Sequence, residues 1–181
     1  MTENFKMFWK TIIFYDSMTA NGNKFRTYRN LKEKYETDTY LFIDIGKTLI
    51  KQFTQIKISN SKLMIELGRH NKTDINNRIC PLCINGVEDE YHFIILCSSL
   101  NNIRNKMFAN ILSIFPSFHV LTDEKKFLYL FQCEEYDIVE IIVREVNEMY
   151  NRRNELIDKY FFIFFSLMIS VKDIFVHCLK K

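Results

Sequence analysis

One stretch of this 181-residue chain, from Ile79 to Cys97, reads I-C-P-L-C-I-N-G-V-E-D-E-Y-H-F-I-I-L-C. It holds three of the five cysteines and one of the four histidines. Together these side chains make a set of three sulfurs and one imidazole, which zinc favours in closed tetrahedral sites. The predicted metal ligands are Cys80, Cys83, His92 and Cys97.

The residues between these ligands favour a turn followed by a helix. Pro81 pre-sets the backbone for a tight turn that can point both thiolates of the Cys-x-x-Cys motif at one ion. Gly86 allows the chain to reverse. The acidic run Glu88–Glu90 precedes an apolar stretch, where a helix start favours negative charge. We therefore expect His92 in the first turn of a short helix and Cys97 near its end.

Two other interpretations of the cysteines stay open at this point. A cysteine is often only a small buried apolar group, and a Cys-x-x-Cys motif can form a redox pair. However, four ligand-type residues so close together are difficult to explain by core packing, and no βαβ pattern surrounds the motif. The sequence therefore favours a structural Zn²⁺ ion. A catalytic zinc is disfavoured, because four protein ligands leave no open position for water.

The composition favours a helical fold. Apolar residues make up 48% of the chain and aromatic residues 15%, which is ample core material and argues against disorder. Only four glycines and two prolines are available for tight turns, so a sandwich or barrel is disfavoured. We predict a mainly α-helical domain stapled by one zinc knuckle. It would comprise N-terminal helices in residues 1–54, a zinc-knuckle module in residues 55–115 and C-terminal helices in residues 116–181, all in one compact unit.

Apolar residues recur at helical spacing along most of the chain. The predicted helices are residues 5–15, Lys24–Tyr35, Thr39–Phe53, Ser59–Glu66, Ser98–Phe115 and Ile138–Lys159. Ser59 is expected to cap its helix and Gly68 to stop it, and the stretch Thr122–Glu124 is expected to cap a short apolar turn over residues 127–131. The apolar run Tyr160–Leu179 is expected to be a buried helix. A weak membrane anchor is its alternative.

The remaining cysteines bear on the compartment. Cys133 and Cys178 lie outside the motif, and free thiols beside a zinc site are typical of a reducing environment. Because the first residues include Glu3 and Lys6, we expect that they are not a signal peptide. We therefore expect a nuclear or cytoplasmic protein, with a membrane location disfavoured.

Basic residues concentrate just before the knuckle. The segment Lys47–Arg78 has seven basic and two acidic side chains, a net charge of +5 (7 − 2). Such a surface beside a zinc module favours phosphate binding, so RNA or DNA is the expected partner. The alternative is an ordinary solvated face, which would leave a protein as the partner. The candidate nucleic-acid-binding residues are Lys24, Arg26, Arg29, Lys57, Lys62, Arg69, Lys72 and Arg78.

Several of these motifs together resemble a known arrangement. They are K-F-R-T-Y-R-N-L-K (Lys24–Lys32), I-E-L-G-R-H (Ile65–His70), R-I-C-P-L-C (Arg78–Cys83) and E-D-E-Y-H-F (Glu88–Phe93). With Cys97, they resemble the zinc-binding region that follows the polymerase domain in reverse transcriptases of animal non-LTR retrotransposons. The resemblance covers Lys24–Phe108. It implies an accessory domain that binds zinc and nucleic acid.

No catalytic motif accompanies this resemblance. A polymerase holds two metal ions with a carboxylate pair, and the sequence contains no Asp-Asp dipeptide. A Walker loop, a nucleophile elbow and a His-Glu-x-x-His motif are also missing. We therefore expect a non-catalytic, zinc-binding and nucleic-acid-binding domain. The alternative is a structural or protein-interaction helical domain in which zinc is purely structural.

Overall fold

The computed structural model describes Met7, Thr11, residues 25–32 and residues 36–178, with side chains of the last helix described up to residue 160 and at Phe162. This part of the chain is mainly helical, as predicted, and an isolated antiparallel bridge is its one β-type pairing. The helix predicted over residues 5–15 lies outside it apart from Met7 and Thr11. The α-helices are α1 (Arg26–Leu31), α2 (Lys47–Lys57), α3 (Met64–His70), α4 (Asn101–Ile114), α5 (Asp123–Gln132) and α6 (Tyr136–Cys178). Shorter 3₁₀ turns occupy Thr39–Phe42, Ile75–Asn77, Ser98–Leu100 and Pro116–Val120, and a π-helical turn occupies His92–Leu96.

The first half of α6 forms the centre of the core. Val146 and Met149 on its inner face are completely buried, and so are Met107 and Ile111 of α4, which packs against it. Helix α2 packs along α6 as well. Full burial of one such side chain stabilises the fold by about 1.5–3 kcal/mol. Because Phe93 belongs to the same core, the segment that carries the predicted ligands is built onto it.

Two of the predicted helices begin or end at different residues in the structure. Of the described residues in the predicted helix Lys24–Tyr35, only Arg26–Leu31 are helical, since the backbone is already extended at Lys32. Thr39–Phe53 is wrong in its extent: the chain makes a 3₁₀ turn, becomes extended and begins α2 only after Gly46. Gly46 has a φ of +94°, a left-handed value that strains other residues. A glycine predicted in the middle of a helix therefore precedes its first turn instead.

The predicted cap and stop of the next helix are also wrong. Helix α3 begins at Met64, while Ser59 has a left-handed φ of +55° and accepts a hydrogen bond from the Thr27 N–H at 3.2 Å. Gly68 lies inside α3 rather than beyond its end. A Cβ atom at this position would lie 2.5 Å from the side chain of Arg78. Glycine is needed there because α3 packs closely against the chain that enters the knuckle.

The helices that follow the knuckle agree more closely with the predictions. Helix α4 starts after the 3₁₀ turn at Ser98 and ends before Pro116. The cap predicted within Thr122–Glu124 is confirmed and lies at Thr122, whose hydroxyl accepts a hydrogen bond from the Lys125 N–H at 3.4 Å. Helix α5 is longer than the predicted turn, since it begins directly after this cap.

The last helix combines two predicted segments. Helix α6 contains Ile138–Lys159 and continues through the apolar run that follows as far as Cys178, in one continuous element. On its outer face Arg144 pairs with Glu140 at 2.8 Å, as the four-residue spacing predicts. Tyr160 is exposed, although the pattern places it inside. Within the described residues, no helix has the length and apolar character that crossing a membrane requires.

Candidate metal centre

The first two predicted ligands lie on a small hairpin. Ile79 and Val87 form the antiparallel bridge, and the Cys80 N–H donates to the Gly86 carbonyl at 2.9 Å. Gly86 has a φ of +87°, so it provides the predicted reversal. The Ile84 N–H donates to the Cys80 carbonyl at 3.0 Å. This hydrogen bond closes the Cys-x-x-Cys turn.

The other two predicted ligands are placed by the π-helical turn. Asp89 accepts a hydrogen bond from the His92 N–H at 2.7 Å, and the Cys97 N–H donates to the His92 carbonyl at 2.7 Å. On an α-helix, a step of five residues rotates through about 140° and would separate His92 from Cys97. A π-helical turn has i→i+5 hydrogen bonds and returns Cys97 to the same side. The predicted helix is therefore in the right place but is of a different type.

The four predicted ligands converge. The ligand atoms of Cys80, Cys83, His92 and Cys97 all lie within 4.8 Å of one another. The Sγ atoms of Cys80 and Cys97 are 3.8 Å apart, and Cys83 Sγ lies 3.2 Å from His92 Nε2. A tetrahedral zinc ion with bonds to sulfur of about 2.3 Å has sulfur–sulfur edges of about 3.8 Å. The four ligand atoms are therefore close enough to bind a metal. Three of these residues are buried and Cys83 is half-buried, so the cluster is largely shielded from solvent.

The Cys80 and Cys97 side chains form a sulfur–sulfur hydrogen bond of 3.8 Å, in which one thiol donates its proton to the other sulfur. This hydrogen bond, together with burial, raises the pKa of Cys80 to about 12. The same hydrogen bond is the main reason why the pKa of Cys97 lies below its ordinary value. The backbone N–H of Ser99 lowers the pKa of Cys97 further. A metal ion that binds both sulfurs must displace this proton, since the ligand form of cysteine is the thiolate.

Glu88 is the main polar anchor of the knuckle. Its side chain is 1% exposed and accepts two hydrogen bonds of 2.6 Å from Arg153 of α6, whose side chain is 3% exposed. Its carboxylate also accepts a hydrogen bond of 2.8 Å from the Met64 N–H, and this bond caps α3. The same carboxylate lies 3.9 Å from the Cys80 sulfur. One carboxylate therefore fixes the hairpin to a helix that precedes it and to one that follows it.

Glu90 is a second buried anchor, and it fixes the knuckle to α1. It accepts two hydrogen bonds of 2.6 Å from Arg26 and one of 2.9 Å from the Thr27 hydroxyl. Arg26 pairs with Glu66 of α3 as well. Burial raises the pKa of Glu90, and the Arg26 charge opposes this rise. The acidic run predicted as a helix start thus has a further role, since two of its three side chains form internal ion pairs.

Three of the predicted nucleic-acid-binding residues are engaged within the fold. Arg26 binds the two buried acids just described. Lys57 is 3% exposed, donates to a backbone carbonyl of α5 at 2.9 Å and pairs with Asp38 at 3.1 Å. Arg78 lies against α3 and donates to two backbone carbonyls. We therefore remove Arg26, Lys57 and Arg78 from the predicted phosphate-binding surface, because each of them already donates to acceptors within the fold.

The other predicted cations lie nearer to solvent. Lys62 and Lys72 are exposed, and Arg69 is partly exposed and pairs with a buried acid of α3 at 3.0 Å. Arg29 is half-buried, and Lys24 lies outside the described residues. Lys62 precedes α3, whereas Arg69 and Lys72 lie at its C-terminal end. Among the described residues of this set, Lys62, Arg69 and Lys72 therefore lie toward solvent and flank α3.

The sequence predictions omit several buried charged groups of this region, among them Glu88 and Glu90 as anchors, Arg153 and Arg104. For the two arginines a signal exists. Arg153 follows Met149 by four residues on the buried stripe of α6, and Arg104 follows Leu100 by four residues at the buried side of α4. A cation within an apolar stripe indicates an internal partner. Nothing comparable marks Glu88, since acidic residues before a helix are common.

Comparison of the chain with models of protein families, with curated proteins and with solved structures gives no match. What the cluster does must therefore follow from its donor atoms, its geometry and its surroundings.

Proposed function

We propose that the protein binds one Zn²⁺ ion through Cys80, Cys83, His92 and Cys97, and that this ion is structural. The observation that carries the proposal is the convergence of four ligand atoms within 4.8 Å of one another. Thiolates and imidazole suit zinc, whereas magnesium and calcium prefer oxygen ligands. Four protein ligands complete a tetrahedron and leave no position for a substrate or water. The ion would staple the hairpin to the π-helical turn in a non-catalytic domain.

The metal content of the purified full chain tests this proposal. We expect one zinc ion per chain by elemental analysis. We expect Cys83→Ser to weaken zinc binding by more than the ~10–100-fold that loss of an outer-shell partner causes. Cys133→Ser is the matched control, because Cys133 is a free cysteine outside the cluster. A wild-type chain that carries no zinc and takes up none from excess Zn²⁺ would contradict the proposal.

We further propose that this zinc-stapled unit is a nucleic-acid-binding accessory domain. Two observations support this idea. The motifs Arg78–Cys83 and Glu88–Phe93 resemble the zinc-binding region of reverse transcriptases. In addition, the exposed Lys62 and Lys72 flank α3, a helix that Glu88 holds against the hairpin. Lysines are flexible point charges, so the expected contacts are with phosphates and not with bases.

Reversal of two surface charges tests the nucleic-acid proposal. For wild type, we expect binding to single-stranded RNA or DNA to weaken with salt, with a log–log slope of about −0.7 per phosphate contact. The variant Lys62→Glu/Lys72→Glu should reduce both the affinity and the slope, by about two contacts if each lysine neutralises one phosphate. Filter binding at several salt concentrations measures both quantities.

The double variant Lys125→Glu/Lys159→Glu is the control for net charge. Both residues are exposed and lie on α5 and α6, away from α3 in sequence. If the two double variants weaken binding equally, the effect is one of overall charge and the α3 surface is not the site. If wild type does not bind at low salt, the protein-interaction alternative remains.

A further inference from the structure

Arg104 of α4 is a buried cation beside the candidate metal centre. The residue is 5% exposed. Its Nε donates to the Ile94 carbonyl at 2.7 Å, and its Nη2 donates to the carbonyl of the predicted ligand Cys97 at 2.7 Å. Its Nη1 donates to the side chain of Asn101. These hydrogen bonds hold the end of the π-helical turn, but all three acceptors are neutral.

The other buried cations of the described chain each have a carboxylate partner. Arg153 pairs with Glu88 at 2.6 Å, and Lys57 pairs with Asp38 at 3.1 Å. Arg104, in contrast, forms no ion pair with any described residue. A charge buried without a counter-charge is strongly unfavourable. The position of Arg104 therefore indicates that a negative charge belongs close to it.

The proposed zinc site would supply this negative charge. Zn²⁺ brings two positive charges, three thiolates bring three negative charges and a neutral imidazole brings none, so the loaded centre carries −1 (2 − 3). We propose that Arg104 is the counter-charge of the loaded metal centre and thereby allows all three cysteines to bind as thiolates. This inference rests on the proposed zinc binding. Arg104 acts through Cys97 and is a positioning residue.

The geometry supports this role. The hydrogen bond of 2.7 Å to the Cys97 carbonyl fixes the guanidinium at a ligand residue. The hydrogen bond of 2.7 Å to the Ile94 carbonyl fixes it against the π-helical turn that also carries the ligand His92.

Two substitutions in the full chain separate the charge of Arg104 from its hydrogen bonds. Arg104→Gln removes the charge and keeps an N–H donor, whereas Arg104→Lys keeps the charge and loses the planar fork. We expect Arg104→Gln to weaken zinc affinity by about 10–100-fold, and Arg104→Lys to weaken it by less than about 10-fold. Competition with a chromophoric chelator measures these affinities. With Co²⁺ as the probe, the thiolate-to-metal band per cobalt should decrease for Arg104→Gln only.

Each outcome decides between the possibilities. If wild type binds no zinc, the proposed function itself fails. If wild type binds zinc and Arg104→Gln binds it equally well, only the counter-charge inference is overturned. Equal losses of zinc affinity in both variants, with an unchanged cobalt band, would show that zinc binding depends on the hydrogen bonds of Arg104 and not on its charge. If Arg104→Gln does not fold, Arg104→Lys decides alone: retained affinity supports the inference, and a loss beyond about 10-fold overturns it.

Discussion

Chelation of the metal is expected to abolish the protection of the Ile79–Cys97 backbone amides from hydrogen exchange, while the amides in the first half of α6 stay protected. The ion would be the main link between the hairpin and the π-helical turn, so its binding free energy becomes stability of this segment. With free zinc at 1,000 times the dissociation constant, the stabilisation that chelation removes is about 4 kcal/mol. Val146 and Met149 in the core of α6 are fully buried and do not belong to the ligand cluster. Hydrogen exchange with and without chelator locates the change, and urea unfolding gives its size.

A cysteine substitution should reproduce this result without a chelator. Cys83→Ser removes one ligand and is expected to expose the same segment, whereas Cys133→Ser should have the exchange pattern of wild type. If protection from exchange stays unchanged in the chelated protein, the buried anchors Glu88 and Glu90 hold the knuckle without a metal. Loss of protection throughout α6 would show instead that the core depends on the ion.

The Glu88→Gln variant is expected to lower the free energy of unfolding by about 3–5 kcal/mol. The substitution leaves Arg153 as a buried charge without its partner, and breaking a buried ion pair in this way has an effect of that size. It also weakens the hydrogen bond that caps α3 at Met64. Urea unfolding at constant m-value measures the change.

A double variant shows whether the unpaired charge of Arg153 causes this loss of stability. Glu88→Leu with Arg153→Met removes both charges, so it should be more stable than Glu88→Gln, because no unpaired charge remains buried. Glu140→Gln is the matched control: it breaks the exposed pair with Arg144 and should change stability by about 0.2–1 kcal/mol. If Glu88→Gln has no larger effect than this control, the buried anchor is not formed.

The part of this molecule that the sequence predicts best is local. The four ligands lie within one short stretch, and their spacing alone indicates that they can meet, as they do. The cap at Thr122 is equally local, since it depends on a hydrogen bond to a residue three positions later. Helical periodicity likewise predicts the mainly α-helical fold and the buried stripe of α6. The type of the π-helical turn at His92 is less accessible, because its residues also suit an ordinary helix.

The parts that the sequence predicts poorly depend on distant partners. Lys57 looks like a surface cation, yet it enters the interior to reach Asp38 and a carbonyl 74 residues further along the chain. Its long aliphatic stem makes this burial feasible. Gly68 looks like a helix stop because nothing nearby shows that Arg78 must pack against it. In each case the deciding contact is tertiary, and periodicity along the chain carries no information about it.

The two buried acids inside the knuckle have a consequence for the order in which the chain assembles. Cys80 and Cys97 are separated by 17 positions, whereas the Glu88–Arg153 pair spans 65 and the Arg26–Glu90 pair spans 64. Chain entropy makes closure of the short loop less unfavourable by about 1 kcal/mol. A metal-closed knuckle can therefore form while the long loops are still open. The closed knuckle then presents one carboxylate to the part of the chain that precedes it and one to the part that follows it. Both ends of the domain can therefore dock onto a middle segment that has already formed.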